Sequence, residues 1–232
     1  MSLLTLVRRC CGGLSLVQPT ACFGSTDLQV LQWIELANTA GEMMASAANW
    51  QALRTEFTFA AMAQSDQTGA IPADFDRWVN NTQFNRSTRR PMAGPITPRQ
   101  WQWIKAQPVY SSVYLAWIQR GGEMLVTPNP TAGQTIAFEY ISTNWVKSAG
   151  GALQAGFTAD SDVSRLDERV LRLGMIWRYL KAKGLDYAEA LDDYEREVEK
   201  ASGRDGGASA LSMTPQPLDP HRVNLPDGSF GI

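Results

Sequence analysis

Five carboxylates lie close together near the C-terminal end of the sequence and are the first candidates for catalysis. They are Asp186, Glu189, Asp192, Asp193 and Glu195. Two carboxylates at a fixed separation, one with a raised pKa and one with an ordinary pKa, hydrolyse glycosidic bonds. The same spacing is also typical of a solvated helix surface. We favour the solvated surface, and a peptidoglycan-cleaving hydrolase that uses these acids is the alternative.

A second candidate site combines four arginines with two aromatic residues: Arg77, Trp78, Phe84, Arg86, Arg89 and Arg90. Aromatic rings stack on bases, and arginines bind phosphates, in proteins that hold single-stranded nucleic acid. Protein interfaces are enriched in the same residue types. The chain has a net charge of -2 and a pI near 5.5. We therefore expect an interface or a loop held by arginine hydrogen bonds, with a single-stranded nucleic-acid binding module as the alternative.

Histidine and cysteine chemistry is restricted by how few of these residues the chain has. The one histidine, His221, lies among prolines and glycines near the C-terminus, so most zinc sites and Ser-His-Asp schemes are disfavoured. The three cysteines, Cys10, Cys11 and Cys22, form no C-x-x-C pair, and adjacent cysteines rarely form a disulfide. The sequence predicts no catalytic residue, no metal and no cofactor.

The composition of the 232-residue chain, with 44% hydrophobic and 19% charged residues, is sufficient for one large or two small domains. The apolar run at the N-terminus is too short to span a membrane, and Arg8 and Arg9 lie inside it. We therefore expect no signal peptide, no membrane partner and synthesis in a cytoplasm.

Residues 1–50 are predicted to form the N-terminal helices of a bundle. The second of these helices has an expected N-cap at Thr26 or Asp27. Its predicted apolar face consists of Leu28, Leu31, Trp33, Ile34 and Leu36.

Residues 51–148 are predicted to form a β-rich insertion. A two-residue period from Leu53 to Phe59 indicates a half-buried strand. Three further strands, over 113–118, 124–127 and 135–142, are predicted to make an antiparallel meander. Thr97 and Pro98 mark the start of a helix that lies between the strand at 53–59 and these three strands.

Residues 149–206 are predicted to form a helical hairpin that returns to the bundle. The apolar stripe of its first helix consists of Leu166, Val170, Leu173, Trp177 and Leu180, and that of its second consists of Tyr187, Leu191, Tyr194 and Val198. These residues recur at steps of three and four, so the two stripes are expected to pack together. Gly184 is expected to end the first helix in the left-handed conformation.

Residues 207–232 are predicted to form an extended arm, because repeated prolines and glycines exclude helix and central strand. Six residues of this arm are candidate anchors for a partner: Leu218, Val223, Leu225, Pro226, Phe230 and Ile232. The predicted fold class is therefore α+β, with a helical bundle, an inserted antiparallel β-rich lobe and an extended C-terminal arm.

Several segments in this order resemble the head-to-tail adaptor proteins of short-tailed bacteriophages, which include tail tubular protein A and the tail accessory factors. The segments are PADFDR at 72–77, RPMAGPITP at 90–98, PTAGQT at 130–135, the hairpin at 166–189 and NLPDG at 224–228. The resemblance covers most of the chain, and the helical hairpin is its strongest part.

The resemblance implies a structural virion protein without catalysis. Such proteins form a homo-oligomeric ring, commonly of twelve copies, that docks on the portal protein and connects the DNA-filled head to the tail. A distal tail protein, a nozzle or tail tube, binds the other side, and genome DNA passes through the lumen without specific binding. The implied location is the head-tail junction of the virion, with assembly in the host cytoplasm. We expect the C-terminal arm to grip the portal and the β-rich lobe to meet the distal tail protein.

Overall fold

A computed structural model of the chain describes residues 1–106 and 114–206. Helices and antiparallel sheets together make an α+β fold, as predicted. The helices of the described residues are α1 (Leu3–Gly13), α2 (Leu28–Ala47), α3 (Pro98–Ala106), α4 (Glu168–Ala182) and α5 (Ala188–Asp205). The C-terminal arm and its six anchor residues lie outside the described residues.

The strands of the described residues are short except for two, and they form three sheets. They are β1 (Arg54–Ala60), β2 (Asp66–Gln67), β3 (Phe75–Trp78), β4 (Phe84–Asn85), β5 (Arg90–Pro91), β6 (Ala116–Arg120), β7 (Glu123–Thr127), β8 (Thr135–Ser142), β9 (Val146–Lys147), β10 (Leu153–Gln154) and β11 (Val163–Ser164). The main sheet has the order β1-β8-β4-β5, with β3 also paired to β8. The other two sheets have the orders β2-β7-β6 and β10-β9-β11.

The predicted meander is wrong at its third strand. β6 and β7 form a hairpin through Gly121 and Gly122, as expected, but β8 leaves that hairpin and pairs with β1, from Arg54 opposite Ile141 to Ala60 opposite Thr135. β8 is buried along most of its length, and it needs strand neighbours on both edges because its buried backbone N–H and C=O groups must be hydrogen-bonded. β1, β3 and β4 supply those neighbours, which a hairpin with β7 alone would not.

The helical core lies between α1, α2 and α4. Trp33 of α2 stacks on Tyr179 of α4 with ring centroids 4.5 Å apart and planes 7° apart. The predicted apolar face of α2 is correct for Trp33 and Ile34 and wrong for Leu28 and Leu31, which are 81% and 43% exposed. The buried stripe also includes Val30, Ala37, Ala40, Gly41 and Met44. Small residues in this stripe let α2 approach its neighbours closely, as at Gly41 against Trp145, and Leu28 and Leu31 lie outside the stripe.

The three cysteines lie in this core as free thiols. Burial raises the pKa of Cys10 to about 12 and that of Cys22 to about 11. The thiols are therefore protonated at neutral pH and poorly nucleophilic. The turn around Cys22 is held by Asp160, whose carboxylate accepts hydrogen bonds from the backbone N–H groups of Cys22 and Phe23.

The β lobe has a core of its own, and β8 links it to the helical core. Ile141, near the end of β8, belongs to the helical core, whereas Ile136 belongs to the lobe core with Trp117 and Met124. Because side chains alternate between faces along a strand, β8 serves both cores.

Candidate functional site

The five carboxylates of the candidate hydrolase site lie on the exposed surface of α5 and the turn before it. Asp193 accepts a hydrogen bond from Arg196, one helical turn away, at 2.7 Å. Two surface grooves, of about 300 and 610 Å³, lie at the other end of the hairpin around Arg165 and Arg172, and none of the five acids lines either groove. The arrangement is that of a solvated helix face.

The nine residues of the predicted hairpin stripe differ in burial, and two of them are deeply buried. Leu166 and Val170 belong to the helical core, and the other seven predicted residues are half-buried. The ring centroid of Trp177 lies 6.3 Å from that of Tyr187 and 6.2 Å from that of Tyr194. Gly184 has a φ of 68°, in the left-handed region, and follows the last helical turn of α4.

A second apolar face of α4, which sequence analysis missed, is more deeply buried than the predicted stripe. Leu171, Gly174, Met175 and Tyr179 are buried there, and Tyr179 contacts α2. These residues recur at steps of three and four, so their spacing carried a usable signal. α4 therefore lies between α2 on one side and α5 on the other.

Arg178 lies at the junction of α2, α4 and α5 and is only 6% exposed. Its Nη1 donates to the carbonyl oxygen of Gly174 at 2.7 Å, and its guanidinium lies 4.3 Å from the Trp177 ring centroid and 5.5 Å from that of Tyr194. Burial lowers the pKa of Arg178, and Tyr194 opposes that shift. The cation is therefore held by aromatic faces and a carbonyl group, which stabilise an arginine out of water.

The C-terminal end of α5 is held by a cluster of charges around Glu197, which is 7% exposed. Arg169, Lys200 and Arg204 lie within 3.6 to 3.8 Å of its carboxylate. Asp205 accepts a hydrogen bond from the backbone N–H of Gln51 at 2.6 Å. These contacts fix the position from which the chain continues into the arm at 207–232.

Arg77, from the arginine and aromatic cluster, joins the β lobe to the helical bundle. Its guanidinium donates to the carbonyl oxygens of Ala45, Ser46 and Ala48 at the end of α2, at 2.6 to 3.3 Å, and to Asn49 Oδ1 at 2.8 Å. The last carbonyl groups of a helix lack intrahelical partners and attract cations. Arg77 is therefore a structural residue, as the interpretation of an arginine-held loop predicts.

The remaining members of that cluster divide between interior and surface. The ring centroid of Trp78 lies 4.7 Å from those of Trp117, Phe138 and Phe75, so Trp78 is packed among aromatic rings. Phe84, Arg86, Arg89 and Arg90 are exposed. Arg86 pairs with Glu56 at 2.7 Å, and the Arg90 guanidinium lies 5.8 Å from the Tyr114 ring centroid. Of the two aromatic residues in the cluster, the structure therefore packs Trp78 among other rings and leaves Phe84 exposed beside the arginines.

We expect Arg77→Ala to lower the free energy of unfolding by about 2 kcal/mol, because charged hydrogen bonds to partly buried carbonyl groups contribute on this scale. Urea denaturation measures the loss, and hydrogen exchange should show faster opening at the end of α2. The matched control is Arg89→Ala, an exposed arginine of the same lobe, which should change stability by less than about 0.5 kcal/mol. Equal stability of both variants would contradict the bridging role of Arg77.

The segment 72–77 forms the rest of this joint. The Asp74 carboxylate accepts hydrogen bonds from Tyr140 Oη at 2.9 Å and Ser142 Oγ at 2.6 Å. Burial raises the pKa of Tyr140, and the hydrogen bond to Asp74 raises it further, so the phenol remains a donor. Arg165 extends the joint by donating to the carbonyl oxygens of Asn144 and Ala52. Within this segment, Asp74 thus holds β3 to β8 inside the lobe, and Arg77 joins the lobe to the bundle.

Two further properties concern the described part of the chain only. Within residues 1–106 and 114–206, no group of three or more His, Cys, Asp and Glu side chains is placed to hold a metal ion. Over the same residues, none of the helices is long and apolar enough to cross a membrane.

The described residues thus form an α+β protein with exposed charged surfaces. Hydrogen bonds join its β lobe to its helical bundle. The family model of the SU10 adaptor protein matches residues 1–219. The chain therefore belongs to the SU10 adaptor protein family, a family of phage head-tail adaptors. The predicted resemblance to phage adaptors is confirmed, and the protein is a structural component of a phage virion. A search of the curated proteins finds no match.

Proposed function

We propose that this protein forms a head-to-tail adaptor ring of about twelve copies that docks under the portal and connects the DNA-filled head to the tail. The family match over residues 1–219 carries the proposal. A ring with cyclic symmetry joins two different surfaces of the same subunit, so the subunit must hold those surfaces in a fixed relation. The hydrogen bonds of Arg77 and Arg165 support this, because they fix the β lobe on the bundle.

The portal contact is assigned to the arm at 207–232. Its apolar residues are few and separated by prolines and glycines, so the arm by itself cannot bury enough apolar surface to offset the entropy of ordering. Docking on a partner supplies that surface. The proposed anchors are Leu218, Val223, Leu225, Pro226, Phe230 and Ile232, and the cluster around Glu197 holds the helix from which the arm starts.

Deleting the residues after Ser209 should abolish binding to the portal while leaving the fold intact, because the deleted segment has few apolar residues and repeated prolines and glycines. Mass photometry of the protein alone and mixed with purified portal measures binding, and thermal unfolding measures the fold. The full-length chain with the six anchors changed to serine is the matched control and should behave like the deletion. Normal portal binding by the truncated protein would refute the arm assignment. Failure of the full chain to bind portal would refute the adaptor position itself.

The other partners follow from the same position. The β lobe, over residues 66–142, is proposed to meet the distal nozzle or tail tube protein, because loops on a rigid scaffold carry recognition. Genome DNA is proposed to pass through the lumen of the ring without specific binding. The exposure of the five acids favours this structural role over the hydrolase, since a general acid works in a cleft that holds the sugar. The proposed location is the head-tail junction.

A further inference from the structure

Charge is strongly segregated along the chain. The 46 residues from Arg77 to Gly122 contain seven lysines and arginines and neither aspartate nor glutamate. The ten residues from Asp186 to Glu195 contain five acids and no base. The chain, whose net charge is -2, therefore carries two segments of opposite charge.

The basic surface lies at the turn between β4 and β5, at the end of the main sheet remote from the helices. Asn85 of β4 pairs opposite Ile136 of β8, whereas the helical end of β8 is at Ile141. Five residues of strand separate the two points by about 17 Å. Arg86, Arg89 and Arg90 are exposed at this turn. We call these three arginines the basic tip.

The acidic surface is the outward side of α5 and the turn before it. One side of α5 packs on α4, and the acids lie on the other side, where all five are exposed. The C-terminal end of α5 is fixed at Gln51 through Asp205, and Glu189 lies sixteen residues earlier on the helix. Sixteen residues at the rise of an α-helix separate Glu189 from Asp205 by about 24 Å, so the acids lie near the opposite end of α5 from Asp205. We call the five acids the acidic face.

The ion pairs recorded for Arg86 and Asp193 are local. Arg86 pairs with Glu56 of the adjacent strand region, and Asp193 pairs with Arg196 of the same helix. Two exposed apolar residues follow or precede these segments in the chain: Trp103, 63% exposed, on α3 after β5, and Leu185, 55% exposed, before Asp186. Exposed aromatic residues, arginine and a complementary charged surface are the features of a protein interface.

We propose that the acidic face of one copy docks on the basic tip of the next copy around the ring. This inference rests on the proposed ring. A head-to-tail interface needs two different, complementary surfaces on one chain, and these two surfaces have opposite charge and lie on different elements. Contact of either surface with its own equivalent would bring like charges together, so the charges disfavour a dimer in which acidic face meets acidic face or basic tip meets basic tip.

A second copy of the chain fits the basic tip better than nucleic acid does. Trp78 packs against Phe75, Trp117 and Phe138, so base stacking in this cluster would depend on Phe84, which is 38% exposed beside Arg86. The acidic face of the same chain would repel phosphates and attract arginines. Engagement of the basic tip between copies would also leave fewer cations for the DNA in the lumen.

The test uses charge reversals in the full chain mixed with purified portal. The acidic variant carries Glu189→Lys, Asp192→Lys and Glu195→Lys, and the basic variant carries Arg89→Glu and Arg90→Glu. Each variant alone places like charges across every interface, and we expect at least about tenfold weaker ring formation by mass photometry at low salt. An equimolar mixture of the two variants should restore the ring, because alternating copies bring opposite charges together at both kinds of interface. The matched control, Glu35→Lys with Glu42→Lys on the exposed side of α2, should assemble normally.

The outcomes separate this inference from the proposed function. A wild-type ring on the portal that tolerates both reversals would overturn the interface and leave the adaptor role standing. The interface is also overturned, and the adaptor role stands, if neither variant forms a ring alone, the mixture forms none either, and both variants keep the wild-type melting temperature. If only the basic reversal weakens assembly, and wild type binds single-stranded DNA through the same arginines in a salt-dependent gel shift, the basic tip is a nucleic-acid surface. Absence of a ring for wild type overturns the proposed function, and this interface with it.

Discussion

Gly41→Ala is expected to lower the free energy of unfolding by about 3 kcal/mol, at the upper end of the range for an overpacked core. A Cβ atom at Gly41 would lie 2.0 Å from Cη2 and 2.2 Å from Cζ2 of Trp145, far inside van der Waals contact. The indole is a rigid ring that is 1% exposed, so it cannot move aside without disturbing Phe157, which packs against it edge-on. The higher helix propensity of alanine offsets this cost by only about 1 kcal/mol.

Gly203→Ala is the matched control for this prediction. Gly203 lies in α5, and a Cβ atom there would meet no atom within 4 Å. The same substitution should therefore raise stability by about 0.5 to 1 kcal/mol through helix propensity alone. Chemical denaturation of the three proteins measures both effects. If Gly41→Ala proves as stable as Gly203→Ala, Trp145 does not lie against α2 as described.

Trp33→Ala is expected to have the largest effect of any single substitution considered, a loss of about 3 to 5 kcal/mol. Trp33 is fully buried, and its ring stacks on Tyr179 at 4.5 Å, where α2 meets α4. Removing the indole leaves a cavity in the helical core and strips Tyr179 of its stacking partner. Domains are stable by about 5 to 15 kcal/mol in total, so the variant should unfold near ambient temperature or fail to accumulate.

Trp103→Ala is the control, because it removes the same side chain from a position that is 63% exposed on α3. Its stability should stay within about 0.5 kcal/mol of wild type. Thermal unfolding followed by near-ultraviolet circular dichroism compares the two. A wild-type melting temperature for Trp33→Ala would show that α2 and α4 do not share a core through this residue.

The core variants also show how much ring formation is lost when only the stability of the fold is lowered. Gly41→Ala and Trp33→Ala should lose ring formation only as far as they lose the folded state, since both residues are buried. Reversals at the acidic face and basic tip should weaken assembly with an unchanged melting temperature, since those residues are exposed. A loss of assembly without a loss of stability therefore marks an interface.

Local features of the fold were predictable from the sequence. The helix start at Thr97 and Pro98 is confirmed by a capping box, in which Thr97 Oγ1 accepts from the N–H of Gln100 and Gln100 Oε1 accepts from the N–H of Thr97. The left-handed Gly184 and the two-residue period of β1 are confirmed as well. Each of these depends on residues within a few positions of one another, so the chain carries the signal locally.

Long-range partners were not predictable in the same way. β8 pairs with β1, more than 75 residues earlier, and not with the β7 strand that precedes it. Arg77 lies in sequence within a cluster of arginines and aromatic residues, yet it caps the end of α2 about 30 residues away. The strands β9, β10 and β11 have two residues each, which is too short for any period to show.

The sequence by itself determined where the main helices and the long strands lie, which residues form the hairpin and which family the chain resembles. Those properties follow from short-range periodicity, caps and turns, whose energies act within one element. The tertiary structure alone decided that α4 is buried on two sides and that β8 serves two cores. It alone set the acidic face and the basic tip on separate elements. Burial and charge placement depend on residues that meet only when the chain folds, because packing energies arise between elements distant in sequence.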